Sequence, residues 1–345
     1  MEQILRTNGY KVETMEDLMN VAPASFSGDH NRSKNYSFVS TTSIIENLAK
    51  LGWNITYAKQ QGSSKFSRHI IRLTSPELGY MDLKNDKIRP QLILDNSHNG
   101  GSSAQLHMGL FRMVCESEMV ISSPSLFTNI KFRHMGLNFD ELKGVMEKMA
   151  EQYKVVAKVI ADMQDIVLTE QQQLEFAAKG AAYRDPRRYI NDDGTINYKN
   201  LNEAIDPKVL LDPVRGGDKP RTLWETFQNV REWLIKGGFE QKSEKSRKSR
   251  SKAINNAVRQ ISLNKTLWVM AEDYLTKPVE NEVFNTLMAA AANAGITTES
   301  DIKTFTSTKG EKRQVMIMSD LGDGRTQVRD IHSKLIFCAA NDRLS

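Results

Sequence analysis

Two apolar runs in the first half of the chain, Leu92–Leu94 and Leu106–Val114, flank a connector of Asn, Ser and Gly residues. Glycines among Asn and Ser supply the positive φ angles that a chain reversal needs, so the pattern predicts a β-hairpin. In the second run apolar positions alternate with Gln105, His107 and Gly109. We therefore expect one face of this strand to be buried and the other to meet a ligand.

The segments on either side of the hairpin predict a mixed fold. Helical spacing of apolar residues predicts a helix that opens at Ser40–Thr42 and ends at Gly52. Aromatic and β-branched residues predict strands at Trp53–Tyr57 and Phe66–Thr74. The expected fold class is α+β, with a curved antiparallel sheet and hairpin core packed on helices and a mostly helical second half.

Helical periodicity dominates the chain after residue 136. The predicted helices are Phe139–Val167, Leu168–Ala182, Leu223–Leu234, Ala253–Tyr274 and an Ala-rich helix at Val283–Ala294. Apolar runs at Arg313–Ser319 and Lys334–Ala340, either side of a Gly322–Gly324 turn, predict a small strand addition at the end.

Turn residues and charge runs divide this pattern into four parts. The predicted organisation is a flexible N-terminal arm (1–35), a hairpin-sheet core (36–135), a helical region (136–275) with a loop at 183–220 and a basic loop at 236–252, and a C-terminal helix with small strands (276–345).

Composition narrows the class of protein only a little. The 345 residues are 39% hydrophobic and 26% charged, which is typical of a globular protein, and the net charge of +5 permits a polyanionic partner without requiring one. Two cysteines cannot form a disulfide framework. Apolar runs are too short for a membrane span, so we expect a cytoplasmic protein with no membrane partner.

Cations cluster in three places that could contact phosphates. The basic tract consists of Lys242, Lys245, Arg247, Lys248, Arg250 and Lys252. The sheet set consists of Arg68, Arg72, Lys84, Lys87 and Arg89, with Arg112 on the hairpin and with Trp53 and Tyr57 among its aromatic neighbours. Arg184, Arg187 and Arg188 lie beside Tyr189 in the interior loop. Cations alternating with aromatics suit single-stranded nucleic acid, although a solvated loop and core aromatics explain the same residues.

Few residues point to catalysis. His98, His107 and Asp95 surround the predicted hairpin and are compatible with a divalent metal, but no HxH, DxD or HExxH spacing supports a metal site. The more ordinary interpretation is that His98 orders its turn and His107 lies on a polar sheet face. A nucleophile elbow and a phosphate-binding loop are both absent. We expect neither an enzyme nor a cofactor.

Several sequence words resemble a known family. NSHNGGSSAQL (96–106), GLFRMVCESEMV (109–120), Arg133–Met135 and Leu223–Trp233 are similar to the core signature of phage- and plasmid-borne proteins of unknown function (domain of unknown function nine-three-two). The match is collinear from about Ser40 to Ala271. It implies the cytoplasm of an infected host and no settled activity.

A second resemblance concerns the order of the elements. A helix, Gly52–Trp53, a strand, a loop and a long curved hairpin are similar to the core of the single-strand annealing superfamily. That resemblance implies an oligomer, such as a ring, that holds single-stranded DNA in a basic groove beside the hairpin.

Three hypotheses follow. The first is a phage-encoded protein that binds or anneals single-stranded nucleic acid during recombination or replication. The alternative is an anti-defence or host-interaction protein, in which residues 96–103 and Arg112 line a pocket for a small nucleotide or a host protein. A metal-dependent nuclease using His98 and His107 is the third, for which we expect no cleavage.

Overall fold

The structure is a computed structural model that describes residues 10–28, 39–84, 86–99, 104–113, 117–121, 129–132, 139–191, 194–214, 221–242, 247–275, 302–307, 310–320, 324–333 and 336–345. These residues form two compact units, one up to residue 157 and one from residue 158 onward. The boundary lies inside the helix Phe139–Asp165.

The first unit is built on an antiparallel sheet. Its strands are β1 (Tyr10–Lys11), β2 (Asn54–Gln61), β3 (Arg68–Thr74), β4 (Met81–Leu83), β5 (Asp86–Asn96), β6 (Gln105–Arg112), β7 (Ser117–Val120) and β8 (Asn129–Lys131). The main order is β1-β2-β3-β5-β6-β7, while β4 pairs with β5 and β8 pairs with β6. Its helices are α1 (Met15–Val21), α2 (Thr41–Lys50) and the first part of α3 (Phe139–Asp165).

The predicted hairpin is confirmed, but the expectation of one open face is wrong. Strands β5 and β6 pair with Asp95 opposite Gln105. Gln105 is only 8% exposed and His107 only 1% exposed, so the polar side of β6 is buried as well. The hydroxyl of Tyr153 in α3 donates to the carbonyl oxygen of Gln91 at 2.6 Å, which places α3 against this hairpin.

Residues 10–28, which contain β1 and α1, pack against the rest of the first unit. Strand β1 pairs with β2. Val12 and Leu18 are fully buried, and Thr14 caps α1 in a reciprocal capping box with Asp17. Burial of these two side chains holds residues 10–28, the described part of the predicted flexible arm (1–35), against the first unit.

Helix α2 confirms the helix predicted ahead of the sheet. The hydroxyl of Ser40 accepts a hydrogen bond from the amide of Ser43 and so caps the first turn. Ile44, Ile45 and Leu48 form its buried stripe. The helix begins beside the sheet, because the hydroxyl of Thr41, the first helical residue, lies 2.8 Å from Nε2 of His69 near the start of β3.

The second unit combines helices with two separate strand groups. Its helices are the end of α3, α4 (Glu170–Arg184), α5 (Pro186–Tyr189), α6 (Tyr198–Ala204), α7 (Leu223–Lys236) and α8 (Ala257–Glu272). Its strands are β9 (Glu240–Lys242) and β10 (Lys248–Arg250), which form a hairpin, and β11 (Ile302–Thr306), β12 (Lys312–Asp320), β13 (Arg325–Asp330) and β14 (Ile336–Ala340), which form an antiparallel sheet in chain order. The closing strands are thereby confirmed, and the expected helix Val283–Ala294 lies outside the described residues.

Helices α4, α7 and α8 form the core of the second unit. A Cβ at Gly180 of α4 would lie 3.0 Å from Leu234 and 3.1 Å from Leu267, so the missing side chain permits close helix packing. The rings of Phe227 and Trp268 meet edge to face at 6.0 Å. The whole chain is therefore α+β with a more helical second half, as the sequence predicts.

Candidate nucleic-acid interface

Two arginines of the predicted sheet set are neutralised within the sheet. Arg68 donates Nε and Nη2 to the two carboxylate oxygens of Asp95, each at 2.6 Å. Arg112 donates to Asp86 at 2.5 Å, and the side chains of both residues are no more than 5% exposed. A bidentate or buried carboxylate satisfies the guanidinium, so these charges serve the fold in this structure.

Arg72 lies between an aromatic ring and a carboxylate. Its guanidinium carbon is 3.5 Å from the centre of the Tyr57 ring, and its Nε forms an ion pair with Glu118. Burial lowers the pKa of the Arg72 guanidinium to about 10. Tyr57 is 7% exposed and Trp53 4% exposed, so neither ring offers a face to an unpaired base.

The remaining cations of the set lie at a more open corner. Lys84 and Lys87 are exposed, and the Lys87 ammonium lies 4.6 Å from the centre of the exposed Tyr80 ring. Arg89 donates to the Thr74 hydroxyl at 2.7 Å. Of the sheet set, this corner alone keeps exposed charge beside an exposed aromatic ring within the described residues.

The three metal candidates do not converge. His69 pairs with Asn96, so both point to the same face, whereas His107 pairs with Ile93 and points to the other. His98 lies with His69 at ring centres 5.2 Å apart, and Asp95 is held by Arg68. Among the described residues no group of three metal-ligating side chains is present.

The two histidines instead share the hydroxyl of Thr41. Nδ1 of His69 contacts the Ser67 carbonyl at 3.0 Å and must donate there, so its Nε2 accepts from Thr41 at 2.8 Å. The same hydroxyl accepts from Asn96 at 2.9 Å, and from Nε2 of His98 at 3.2 Å. Burial lowers the pKa of His69 to about 4 and also lowers the pKa of His98, so burial disfavours the charged form of both rings. With no exposed surface, the cluster orders the end of the hairpin.

The basic tract forms a cationic hairpin, which we define as residues 240–252. Lys242 of β9 lies directly opposite Lys248 of β10, and Arg250 lies opposite Glu240. Lys242, Lys248, Arg250 and Lys252 are exposed, as is Arg247. Lys245 lies outside the described residues. Like charges in a cross-strand pair are unfavourable unless an anion lies nearby, so this pair is suited to a phosphate.

The arginines of the predicted interior group hold the cationic hairpin in place. Arg184, at the end of α4, donates Nε to the carbonyl of Leu234 at 2.7 Å and Nη2 to the carbonyl of Lys252. Arg188 donates to the carbonyl of Lys242 at 3.1 Å. The structure thus brings together two basic groups that lie more than 50 residues apart in the sequence.

A concave site adjoins the base of the hairpin. This cationic cleft has a volume of about 420 Å³ and is lined by the arginines Arg184, Arg187, Arg259 and Arg325, together with apolar and amide side chains. Asp185 is the one acidic residue among the described residues that line it. The sequence pattern singles out neither Arg259 nor Arg325, although a cation in the first turn of a helix, as at Arg259, opposes the helix dipole and is an available signal.

Charge is concentrated in these segments of the second unit. Residues 183–190 and 240–252 carry nine Lys or Arg and three Asp or Glu, a net +6, against +5 for the whole chain. The rest of the chain therefore has a slight excess of acid. The cationic hairpin and cleft are the best candidate interface for a polyanion.

Comparisons with known proteins confirm the resemblance to the domain-of-unknown-function family. The family model described as "Domain of unknown function (DUF932)" matches residues 30–268. UPF0380 protein YafZ of Escherichia coli (strain K12) is 30% identical over 274 residues, which is 76% of this chain and 92% of that protein. UPF0380 protein YfjQ of the same strain is 29% identical over 274 residues, with the same coverage. No solved structure matches the chain significantly. Within the described residues, every helix is too short or too polar to cross a bilayer.

Proposed function

The chain belongs to the DUF932 family, a family of unknown function, and we propose that it is a nucleic-acid-binding protein of the single-strand binding or annealing type. Phosphates would be held by the exposed cations of the hairpin at residues 240–252. The sheet of the first unit would then support the fold, since most of its arginines are internally paired.

One observation carries this proposal. The cationic hairpin exposes Lys242, Lys248, Arg250 and Lys252 while Arg184 and Arg188 anchor its backbone to the helical core. A two-stranded hairpin is marginal by itself, and repulsion between Lys242 and Lys248 makes it less favourable. A polyanion that neutralises these cations would relieve their repulsion, so a hairpin anchored in this way is suited to a polyanionic ligand.

Preference for a single strand requires a stacking surface. Tyr198, the first residue of α6, is 43% exposed, and α6 packs against β9. Because α6 packs against β9, the exposed ring of Tyr198 is the candidate for stacking on an unpaired base of any sequence. An oligomer that lines up several such hairpins, and a role in phage recombination or replication, belong to the same proposal.

Fluorescence anisotropy with a labelled single-stranded oligonucleotide tests the proposal. We expect saturable binding at about 50 mM salt, where attraction to phosphates is strong. Replacing Lys242, Lys248 and Arg250 by Gln should weaken binding by about 100-fold, since roughly three phosphate contacts are lost. Tyr198→Leu should weaken single-strand binding more than duplex binding.

A matched control replaces three exposed lysines of α3, Lys143, Lys154 and Lys158, by Gln. This variant has the same net charge and should keep its affinity. Absence of binding by the unaltered chain at low salt overturns the proposal. Loss of binding on replacing Lys84 and Lys87 by Gln, with the hairpin variant unaffected, would instead assign the strand to the corner near Tyr80.

The alternative of a small-ligand or host-binding protein lacks support at the place where the sequence suggests it. Arg112 is paired with Asp86 and buried, so it cannot receive an anion there. Only residues 96–99 of the 96–103 connector are described, and Asn96, Ser97 and His98 are buried. The observation that favours a small nucleotide is the cationic cleft of the second unit.

A further inference from the structure

The cationic cleft is lined by four arginines and by one described acid, Asp185. Arg259 donates Nη2 to the carbonyl of Arg184 at 3.1 Å, so the two side chains are neighbours. Carbonyl oxygens take two N–H groups of Arg184 and one of Arg259, and neither guanidinium forms an ion pair with a described acid. Each arginine has five N–H donors, so most of them remain for a ligand.

The guanidinium groups of Arg184 and Arg259 repel each other, and a bound anion would relieve this repulsion. Burial lowers the pKa of the Arg184 guanidinium and repulsion from Arg259 lowers it further, while the neighbouring Asp185 and Tyr189 only partly oppose this shift. Arg187 of α5 and Arg325 of β13 line the same cleft, so more than one element contributes cations to it. Arg259 also lies in the first turn of α8, where the helix dipole favours an anion and disfavours a cation.

The rest of the cleft has the character of a pocket for an organic ligand. Ile254, Val258 and Leu263 form an apolar part of its lining. Gln327 and Asn256 add amide groups, and Gln327 is fixed by a 2.6 Å hydrogen bond from Ser262. A volume of about 420 Å³ lies in the range of small-molecule sites, which combine apolar walls with a few polar groups.

We propose that this cleft binds a nucleoside monophosphate group, either as a free nucleotide or as the phosphorylated end of a strand. The arginines hold the phosphate, the apolar wall contacts the base, and the amides hydrogen-bond to its edge. The site is separate from the exposed cations of the hairpin, so it does not require the hairpin to bind a strand.

Isothermal titration of the full chain with adenosine monophosphate, adenosine and inorganic phosphate tests the site. We expect saturable binding of the monophosphate. Adenosine should bind at least about tenfold more weakly, because it lacks the charge-assisted hydrogen bonds of the phosphate. Arg259→Gln should weaken the monophosphate by about tenfold or more for the same reason.

Two control variants separate this site from the hairpin and from unfolding. Arg221→Gln removes an exposed arginine elsewhere in the second unit and should leave affinity for the monophosphate unchanged. Replacing Lys242, Lys248 and Arg250 by Gln should weaken oligonucleotide binding and spare the monophosphate. The thermal midpoint of the Arg259→Gln variant should equal or exceed that of the parent, because the substitution removes a cation from the start of a helix.

Oligonucleotides phosphorylated at the 5′ end, at the 3′ end or at neither distinguish the two sources of the ligand. Tighter binding of one phosphorylated end assigns the cleft to a strand end, whereas equal binding of all three with retained monophosphate binding assigns it to a free nucleotide. The inference is overturned if neither the monophosphate, up to about 1 mM, nor a phosphorylated end binds better than its unphosphorylated counterpart.

Discussion

At the scale of single residues, folding decides whether a cationic side chain is neutralised, because it decides whether a carboxylate lies beside that side chain. Arg68 meets Asp95 across 27 positions of sequence and Arg112 meets Asp86 across 26. Lys242 and Lys248, in contrast, face each other. A cationic side chain is therefore structural at Arg68 and Arg112 and available for binding at Lys242 and Lys248.

Removing the acid of a partly buried ion pair is expected to cost more than removing the acid of an exposed ion pair. Glu118→Gln leaves the guanidinium of Arg72 without its carboxylate, and because the side chain of Arg72 is only 15% exposed, we expect a loss of about 2 to 3 kcal/mol in the free energy of unfolding, somewhat below a fully buried pair. Urea denaturation measures it. The control Glu147→Gln breaks the exposed pair with Lys143 and should cost less than about 0.5 kcal/mol. Equal losses would contradict this assignment.

The buried histidines make the first unit sensitive to acid. The pKa of His69 is lowered to about 4 from 6.5, so between these values the unfolded chain binds more protons than the folded one. Stability should therefore be complete above pH 6.5 and fall as the pH drops toward 4, by up to about 3 kcal/mol. His98 should also reduce stability as the pH falls, since burial lowers the pKa of its imidazole in the folded chain.

Urea midpoints at several values between pH 7.5 and pH 5 measure this dependence. His69→Gln keeps an oxygen that can accept from Thr41 and should flatten the pH dependence. Replacing the exposed His332 by Gln should leave it unchanged. An unaltered slope in the His69 variant would refute the account.

At the scale of elements, the end of α7 sets the position of the cationic hairpin. Gly237 ends the helix with φ of +71°, and a Cβ there would lie 2.7 Å from the carbonyl carbon of Lys252. Gly238 donates its amide to the carbonyl of Ser251 at 2.9 Å. The two glycines therefore allow the chain to leave the helix and the hairpin to return against it.

Gly237→Ala should displace the return strand. The strained backbone and the contact with Lys252 together are expected to cost about 2 to 4 kcal/mol, measured by urea denaturation, and to weaken oligonucleotide binding. Gly238→Ala is the matched control, because φ is +93° and the nearest contact of its Cβ is the Trp233 ring at 3.8 Å. It should cost only about 1 to 2 kcal/mol, the penalty for the left-handed backbone alone. Equal costs would show that contact with residue 252 is unimportant.

At the scale of the whole molecule, the distribution of charge matters more than its total. A net charge of +5 over 345 residues is modest, yet two short segments carry +6. A polyanion would therefore meet a local field, and its binding would depend on the concentration of salt.

The salt dependence of oligonucleotide binding should depend on the cations of the hairpin at residues 240–252. Replacing Lys242, Lys248 and Arg250 by Gln should reduce the slope of log affinity against log salt by about 2, at roughly 0.7 per phosphate contact on a single strand. Anisotropy titrations from about 50 to 200 mM salt measure the slope. The Lys143, Lys154 and Lys158 variant should retain the parent slope, and a common decrease in both would point to a diffuse charge effect.

The sequence by itself determined the main helices and the strands of the central hairpin, but not α5 and α6 in the predicted loop at 183–220 or β9 and β10 in the predicted basic loop at 236–252. Local signals are sufficient for this: Thr222 and Glu225 form the capping box that begins α7, Gly237 ends it, and the alternation after residue 104 predicts β6. These features depend on residues a few positions apart, which lie together in any compact fold.

Only the tertiary structure decided which of the predicted binding residues are available. Strand pairing places Arg68, Arg72 and Arg112 beside acids, and the face of β6 that was expected to be open is buried. Folding also brings Arg184 and Arg259, 75 residues apart, to one cleft. Whether a charged side chain is free to bind a ligand depends on contacts between segments that are distant in sequence. The periodicity of residues along the chain does not reveal those contacts.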